Sequence, residues 1–157
     1  MGSSGNRDLI LHVLAGLGRA DCQVLAPVRS HLRQEDLETL PRNVHVTDWL
    51  PAHQLGDAVD LAITHGGEGT VQTSCVQGWP FIGIPLQFEQ RFNVQRCVAF
   101  GSARLVSQRE ARRADWAELV RQALADNGMR SRARRMAGLM EGLDGPGRAA
   151  EAICELL

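Results

Sequence analysis

A histidine, a threonine and three glycines in four positions form a compact group of polar and backbone-exposing residues. They lie in the stretch DLAITHGGEGTVQTS at residues 60–74, between an apolar run and a segment typical of a helix. A helix N-terminus presents unpaired N–H groups and partial positive charge, and therefore favours anions. Glycines let a phosphate approach the backbone, and the two polar side chains add hydrogen-bond donors. The pattern indicates a diphosphate cradle formed by His65, Gly66, Gly67, Gly69 and Thr70.

The same glycines also have a purely structural explanation, which is a tight turn from a strand into a helix that a threonine caps. The stretch lacks the G-K-[ST] ending of a Walker A loop and the full G-x-G-x-x-G of dinucleotide folds. Taken alone, it leaves a packing role and a binding role open.

Two further loops add groups that favour a ligand. Trp49 follows another predicted strand, where an indole can stack on a nucleobase, although a core tryptophan fits the spacing equally well. Glu89 and Gln90 follow a third strand, and such paired acceptors suit sugar hydroxyls, although a glutamate is also common at a helix start. A base platform, a phosphate cradle and a hydroxyl clamp together match the parts of a sugar nucleotide.

The elements that position these residues alternate along the chain. Apolar spacing predicts helices over 7–18, 69–77 and 89–101, the last closed by Gly101, and three further amphipathic helices around 116–124, 133–140 and 150–157. It predicts strands at 22–26, 44–48, 58–64, 80–86 and 102–107, and a loop with a helical turn at 29–43. The alternation predicts the α/β class, with a Rossmann-like doubly wound parallel sheet that binds ligands at the carboxyl ends of its strands.

Composition narrows the possible partners. At 157 residues the chain has the size of one domain, so we predict a single domain over 1–157. A net charge of -1 gives no basis for a nucleic-acid partner, and the arginine-rich segment 130–135 is expected to be a solvated helix face. The sequence has no long apolar run or leader pattern, which predicts a cytoplasmic protein without membrane insertion. Its four cysteines have no metal-ligand spacing, so we expect reduced thiols, no metal and no cofactor.

In its ordered motifs the sequence resembles a known family, the C-terminal half of GT-B glycosyltransferases of the UDP-glycosyltransferase type. The blocks NVHVTDWLPAHQL, ITHGGEGT and GWPFIGIPLQFEQRFN follow one another between residues 43 and 107 at the spacings of that family. The likeness is greatest to bacterial enzymes that glycosylate natural products such as macrolides, and to sterol glucosyltransferases. GSSGN at residues 2–6 resembles the loop between the first strand and first helix of this half.

The resemblance implies roles for individual residues. Trp49 would flank the base, His65 would approach the phosphates, and Glu89 with Gln90 would hold the transferred sugar. The diphosphate would be bound by Gly67, Gly69 and Thr70, with Ser3 or Ser4 nearby. Nucleotide-sugar binding is thus expected, with UDP-sugar or dTDP-sugar as the donor substrate.

Several positions depart from the family pattern. Plant members carry a glutamine and a glutamate, both directed at the base and ribose, where this chain has Ala52 and Thr73. The chain therefore resembles the bacterial type, and the choice between UDP and dTDP stays open. Glu68 stands where relatives often have a small or apolar residue. The first strand of this half, expected before Gly2, is missing apart from Met1.

In this family the N-terminal half binds the acceptor and supplies the catalytic base, usually a histidine, and the anomeric centre is inverted. We therefore expect no catalytic residue in this half and no transfer by residues 1–157 alone. The expected partner is an N-terminal acceptor-binding domain, in the same chain or as a separate subunit. The alternatives are a stand-alone nucleotide-binding subunit of a split glycosyltransferase and an unrelated Rossmann-like binding module.

Overall fold

The structure is a computed structural model that describes residues 6–156. Helices and strands alternate through this range. The strands are β1 (Val24–Ala26), β2 (Val44–Val46), β3 (Ala62–Thr64), β4 (Phe81–Gly83) and β5 (Ala103–Leu105). The helices are α1 (Arg7–Leu17), α2 (Gln34–Leu37), α3 (Glu68–Gln77), α4 (Phe88–Phe100), α5 (Gln108–Ala111), α6 (Trp116–Ala125), α7 (Asn127–Met140) and α8 (Gly145–Cys154).

This order agrees with the alternation predicted from the sequence, and the differences are local. Each strand has 3 residues, which is shorter than predicted. A 3-10 turn at Gly56–Ala58 occupies the start of the segment predicted as the third strand. Helix α5 was not predicted, and a capping box between Ser107 and Glu110 begins it. Gly101 ends α4 at a φ of 89°, as predicted.

Parallel pairing is present in every ladder of the described residues, but the ladders form two groups. Strand β1 pairs with β2, while β4 lies between β3 and β5. Adjacent residues of β4 face opposite ways: Ile82 packs with residues of α1 and α6, whereas Phe81 packs with Val94 and Cys97 of α4. Both faces of this sheet are therefore covered by helices, as the doubly wound class requires.

Among the residues that the structure describes, Trp116 at the start of α6 has the largest fully buried side chain. It is 0% exposed, and its indole Nε1 donates a hydrogen bond of 2.9 Å to the carbonyl of Ala111. A Cβ placed on Gly16 would lie 2.9 Å from Trp116 Cβ, so only glycine lets α1 approach α6 this closely. Trp116 thus joins α1, α5 and α6 on one face of the sheet.

The N-terminal end of α1 is fixed by side-chain bonds. Asn6 accepts a hydrogen bond of 3.1 Å from the amide of Leu9 and so caps the helix. The guanidinium of Arg7 pairs through two nitrogens with the Asp36 carboxylate, which attaches α1 to α2. This guanidinium, with the Arg33 amide, holds the pKa of Asp36 below its ordinary value. Within residues 6–156, no helix is long and apolar enough to cross a membrane.

Replacing Trp116 by alanine should lower the free energy of unfolding by about 3–5 kcal/mol, because it empties a fully buried site and leaves the Ala111 carbonyl without its indole partner. Urea denaturation measures the loss. Trp49→Ala is the matched control, since the Trp49 side chain is 71% exposed and its removal should change the unfolding free energy by less than about 0.5 kcal/mol. Equal effects of the two substitutions would contradict the packing described for Trp116.

Candidate functional site

The residues singled out from the sequence follow the carboxyl ends of three strands. Trp49 follows β2, the glycine-rich turn at residues 65–67 joins β3 to α3, and Glu89 lies in the first turn of α4, after β4. Strands β3 and β4 are parallel and in register from Ala62 opposite Phe81, so their following loops lie at one edge of the sheet. The side chain of Gln77 and the indole of Trp79 bond to the carbonyls of His53 and Gly56, which attaches the loop after β2 to the end of α3.

The turn between β3 and α3 is ordered by its own hydroxyl groups. The Thr64 hydroxyl accepts a hydrogen bond of 3.2 Å from the amide of Gly66 and donates one of 2.7 Å to the Thr70 hydroxyl. The Thr70 hydroxyl in turn donates 2.9 Å to the carbonyl of Gly67. Thr70 is exposed, so rotation about χ1 would let its hydroxyl donate to a ligand instead. Thr64 was not singled out from the sequence, although a threonine ends the predicted strand.

The three glycines of the turn have different roles. Gly66 has a φ of 86°, and a Cβ there would lie 2.5 Å from Val94 Cγ2 and 2.8 Å from the Gln90 carbonyl oxygen. A Cβ on Gly67 would lie 2.5 Å from His65 Nε2. A Cβ on Gly69 would meet nothing within 4 Å. Packing therefore explains Gly66 and Gly67, whereas the space beside Gly69 is open to a ligand that approaches the first turn of α3.

His65 lies behind this turn and is 8% exposed. Burial lowers the pKa of its imidazole, and the carboxylate of Glu89 acts in the opposite direction. The imidazole is thus neutral at pH 7, with one nitrogen a hydrogen-bond donor and the other an acceptor. Its side chain directly adjoins Gly67, the N-cap residue of α3.

A hydrogen-bonded link joins the glycine-rich turn to α4. The Asn93 side-chain amide donates 3.2 Å to the carbonyl of Gly66 and 2.8 Å to the carboxylate of Glu89. Glu89 is exposed, so its remaining acceptor sites face solvent. Asn93 was missed by sequence reasoning, although its place four residues after Glu89 on a predicted helix puts both on one face.

Gln90 and Trp49 occupy opposite environments. Gln90 is 3% exposed; its Oε1 accepts 2.9 Å from the amide of Leu86, and its Nε2 donates 3.3 Å to Gln87 Oε1. Its side chain therefore holds the loop between β4 and α4. Trp49 is 71% exposed, which excludes a core role for it and leaves its indole face available.

Two sequence-based expectations stay predictions: that Ser3 or Ser4 lies near the phosphates, and that the protein holds no metal. Ser3 and Ser4 fall outside residues 6–156, so the structure gives them no place. Among the described residues, no group of three or more histidine, cysteine or acidic side chains is arranged to hold a metal ion.

Comparison with protein families matches nearly the whole chain. Residues 11–156 fit the family described as erythromycin biosynthesis protein CIII-like, C-terminal domain. The chain belongs to this family. The sequence-based resemblance to the C-terminal half of bacterial natural-product glycosyltransferases is thereby confirmed.

Curated relatives of this EryCIII-like domain are glycosyltransferases. One is the PGL/p-HBAD biosynthesis glycosyltransferase of Mycobacterium tuberculosis (strain ATCC 25177 / H37Ra), 30% identical over 139 residues, which are 87% of this chain and 31% of the relative. Another is the oleandomycin glycosyltransferase of Streptomyces antibioticus, 34% identical over 122 residues, which are 75% of this chain and 27% of the relative. The chain thus spans about a third of the length of the curated relatives it matches.

The fold also has solved counterparts. The crystal structure of CalG4, the calicheamicin glycosyltransferase, superposes with a TM-score of 0.81 at 25% identity and covers 95% of this chain and 38% of that one. The predicted fold class, a Rossmann-like half of a GT-B glycosyltransferase, is confirmed. The division of the strands into two ladders is compatible with that class, because the strands within each ladder are parallel. The ladder of β3, β4 and β5 also has helices on both faces.

The two glycines Gly66 and Gly69 should respond differently to alanine. Gly66→Ala should destabilise the fold by about 2–4 kcal/mol, because alanine is strained at this positive φ and its methyl meets Val94 and the Gln90 carbonyl. Gly69→Ala should raise stability by about 0.5–1 kcal/mol, since alanine is the better helix former and has open space. Chemical denaturation compares the two, and a loss of stability in Gly69→Ala comparable to that in Gly66→Ala would contradict the division of roles.

Proposed function

We propose that this chain binds a UDP-hexose or dTDP-hexose as the donor-binding domain of an inverting glycosyltransferase that acts on a small-molecule acceptor. The observation that carries the proposal is the joined geometry of two loops: the open N-terminal turn of α3 at Gly69, and the Glu89 carboxylate held to that same turn through Asn93. An anion site and a carboxylate that can accept hydrogen bonds from sugar hydroxyls are thus linked at one edge of the sheet. Binding of a sugar diphosphate requires both.

The diphosphate is assigned to the N-terminal end of α3. Backbone amides in the first turn of a helix lack intrahelical partners, and the helix dipole adds partial positive charge there. Gly67 and Gly69 provide this backbone, Thr70 provides a hydroxyl, and the neutral His65 adds a ring N–H donor. These groups stabilise the charge that develops on the diphosphate as it leaves the anomeric carbon.

The sugar and the base are assigned to the flanking loops. The exposed carboxylate of Glu89 accepts hydrogen bonds from sugar hydroxyls, while burial of Gln90 favours a role in holding the loop that presents Glu89. The exposed indole of Trp49 stacks on the nucleobase. Ser3 and Ser4 are proposed near the phosphates on the strength of the family resemblance alone.

The reaction needs groups that this domain does not supply. An acceptor hydroxyl must lose its proton to a base and attack the anomeric carbon from the face opposite the diphosphate, which inverts that centre. We assign the base and the acceptor site to an N-terminal acceptor-binding domain, in the same chain or in a separate subunit. We place the protein in the cytoplasm, where it would bind the nucleotide sugar.

Calorimetric titration with UDP and dTDP should detect binding by the purified chain. Trp49→Ala should weaken it by about 1–3 kcal/mol, or about 5- to 150-fold, because base stacking is lost. His65→Ala and Thr70→Ala should also weaken binding, because each removes a donor to the diphosphate. Val76→Ala is the matched control, since this exposed residue lies near the far end of α3.

Glu89→Ala tests the sugar contact separately. It should reduce affinity for UDP-hexose or dTDP-hexose more than affinity for the bare diphosphate, since only the former carries sugar hydroxyls. Equal losses for both ligands would remove the assignment of Glu89. Absence of binding by the folded wild-type chain would favour a Rossmann-like module that does not bind nucleotides.

Glycosyl transfer should be absent from the isolated chain, because the base and the acceptor site belong to another domain. The test incubates the purified chain with a radiolabelled hexose donor and a panel of phenol and alcohol acceptors, and separates the products. A labelled glycoside formed in proportion to protein concentration would overturn this division of the reaction between two domains.

A further inference from the structure

Two cysteines that the proposed function does not use lie in contact between α3 and α4. Their sulfur atoms, Cys75 Sγ and Cys97 Sγ, are 3.9 Å apart, although the residues are 22 positions apart in the chain. Both residues are free thiols. At this distance one thiol donates a weak hydrogen bond to the other sulfur atom. The two groups that a disulfide needs are therefore already adjacent in the folded chain.

Packing of the two helices holds these sulfur atoms together. Val71 and Cys75 are four residues apart on α3, and Val94 and Cys97 are three residues apart on α4, so each pair shares one face of its helix. All four side chains pack in the same apolar cluster with Phe81 of β4. Because Cys97 is only 5% exposed, the contact between the thiols belongs to the core and is not a chance encounter at the surface.

The glycine-rich turn fixes the same two helices at their other end. Gly66 lies against Val94 and the Gln90 carbonyl, and the Asn93 side chain donates a hydrogen bond to the Gly66 carbonyl. These contacts keep α3 from moving away from α4. For a disulfide the sulfur atoms must approach to about 2.05 Å, which is a change on the scale of side-chain rotation.

The two thiols differ in reactivity. Cys75 is partly exposed, whereas Cys97 is buried. The hydrogen bond from the Cys97 thiol lowers the pKa of Cys75 and outweighs the opposing effect of burial. The pKa of Cys97 is raised, because its thiol donates that bond and is buried. Since the thiolate is the nucleophile, an oxidant should react first at Cys75, and Cys97 is placed to resolve the product.

We propose that Cys75 and Cys97 form a reversible oxidation site, at which a hydroperoxide converts the two thiols into a disulfide between α3 and α4. The Cys75 thiolate attacks one peroxide oxygen, the O–O bond breaks, and Cys75 becomes a sulfenic acid. The Cys97 sulfur then attacks the Cys75 sulfur, and the hydroxyl group leaves as water with the Cys97 proton. Each sulfur loses one electron, and the peroxide gains both. A small thiol reverses the reaction by exchange.

The position of the pair connects this chemistry to the edge of the sheet that carries the glycine-rich turn. Helix α3 begins at that turn, and α4 carries Glu89 in its first turn. A disulfide near the opposite ends of these helices restrains their relative movement. In reducing compartments such bonds are usually transient and redox-sensing, which agrees with a bond that thiols can reverse.

The test treats the folded chain with a small molar excess of hydrogen peroxide, blocks free thiols by alkylation, and maps the cysteines by peptide mass spectrometry. Cys154→Ser is the background, because the exposed Cys154 thiol would cross-link separate chains. A Cys75–Cys97 disulfide should form in the monomer and disappear with dithiothreitol, while Cys22 stays alkylated. It should raise Tm by about 5 °C or more, because the cross-link lowers the conformational entropy of the unfolded chain.

Two matched substitutions test the order of the steps. In Cys97→Ala, the sulfenic acid of Cys75 has no resolving thiol and should be trapped by dimedone. In Cys75→Ala, the buried Cys97 should react with peroxide at least about tenfold more slowly. Equal rates of oxidation in the two variants would overturn the assigned roles.

The mapping of the chain with both thiols present decides the proposal even if a variant fails to fold. Absence of the disulfide, its formation only in urea, or pairing of either cysteine with Cys22 would overturn it. A fall in Tm on oxidation would also overturn it, because the bond would then form only by distorting the two helices. No nucleotide is present in these measurements, so their outcome is independent of the proposed function.

Discussion

The close contact between the Gly66 turn and α4 is the constraint on which the site depends. With a φ of 86° and no side chain, Gly66 lies against Val94 and the carbonyl of Gln90. That contact turns the chain from β3 into α3 within three residues and sets the N-terminal end of α3 beside the start of α4. The two loops that carry the proposed phosphate and sugar contacts are therefore held at a fixed separation by packing, before any ligand binds.

Hydrogen bonds also fix the orientation of the polar side chains in these two loops. Asn93 bonds to both the Gly66 carbonyl and Glu89, and Thr64 bonds to both the Gly66 amide and Thr70. Each bond holds a polar side chain in a defined orientation before a ligand binds. Binding therefore costs less side-chain conformational entropy. The neutral state of His65 follows from the same compactness, because burial disfavours the charged imidazolium.

The order of elements was predictable because it depends on local signals. Apolar spacing located α1, α4 and α6, and Asp115 caps α6 by accepting a hydrogen bond from the amide of Glu118. Other features depend on contacts between distant parts of the chain. Which of Gly66 and Gly69 has open space beside it is decided by Val94 and Gln90, and the exposure of Trp49 is decided by the packing of its loop. Neither feature can be read from the spacing of residues in the sequence.

The central claim is that the first turn of α3 binds the diphosphate of a nucleotide sugar. Titration of the isotope-labelled chain with UDP and dTDP, followed by amide NMR, tests it most directly. The account predicts the largest shift changes at the amides of Gly67, Gly69 and Thr70 and at the indole N–H of Trp49, with saturation at a common concentration. Saturable shifts confined to other surfaces, with these four signals unchanged, would contradict it.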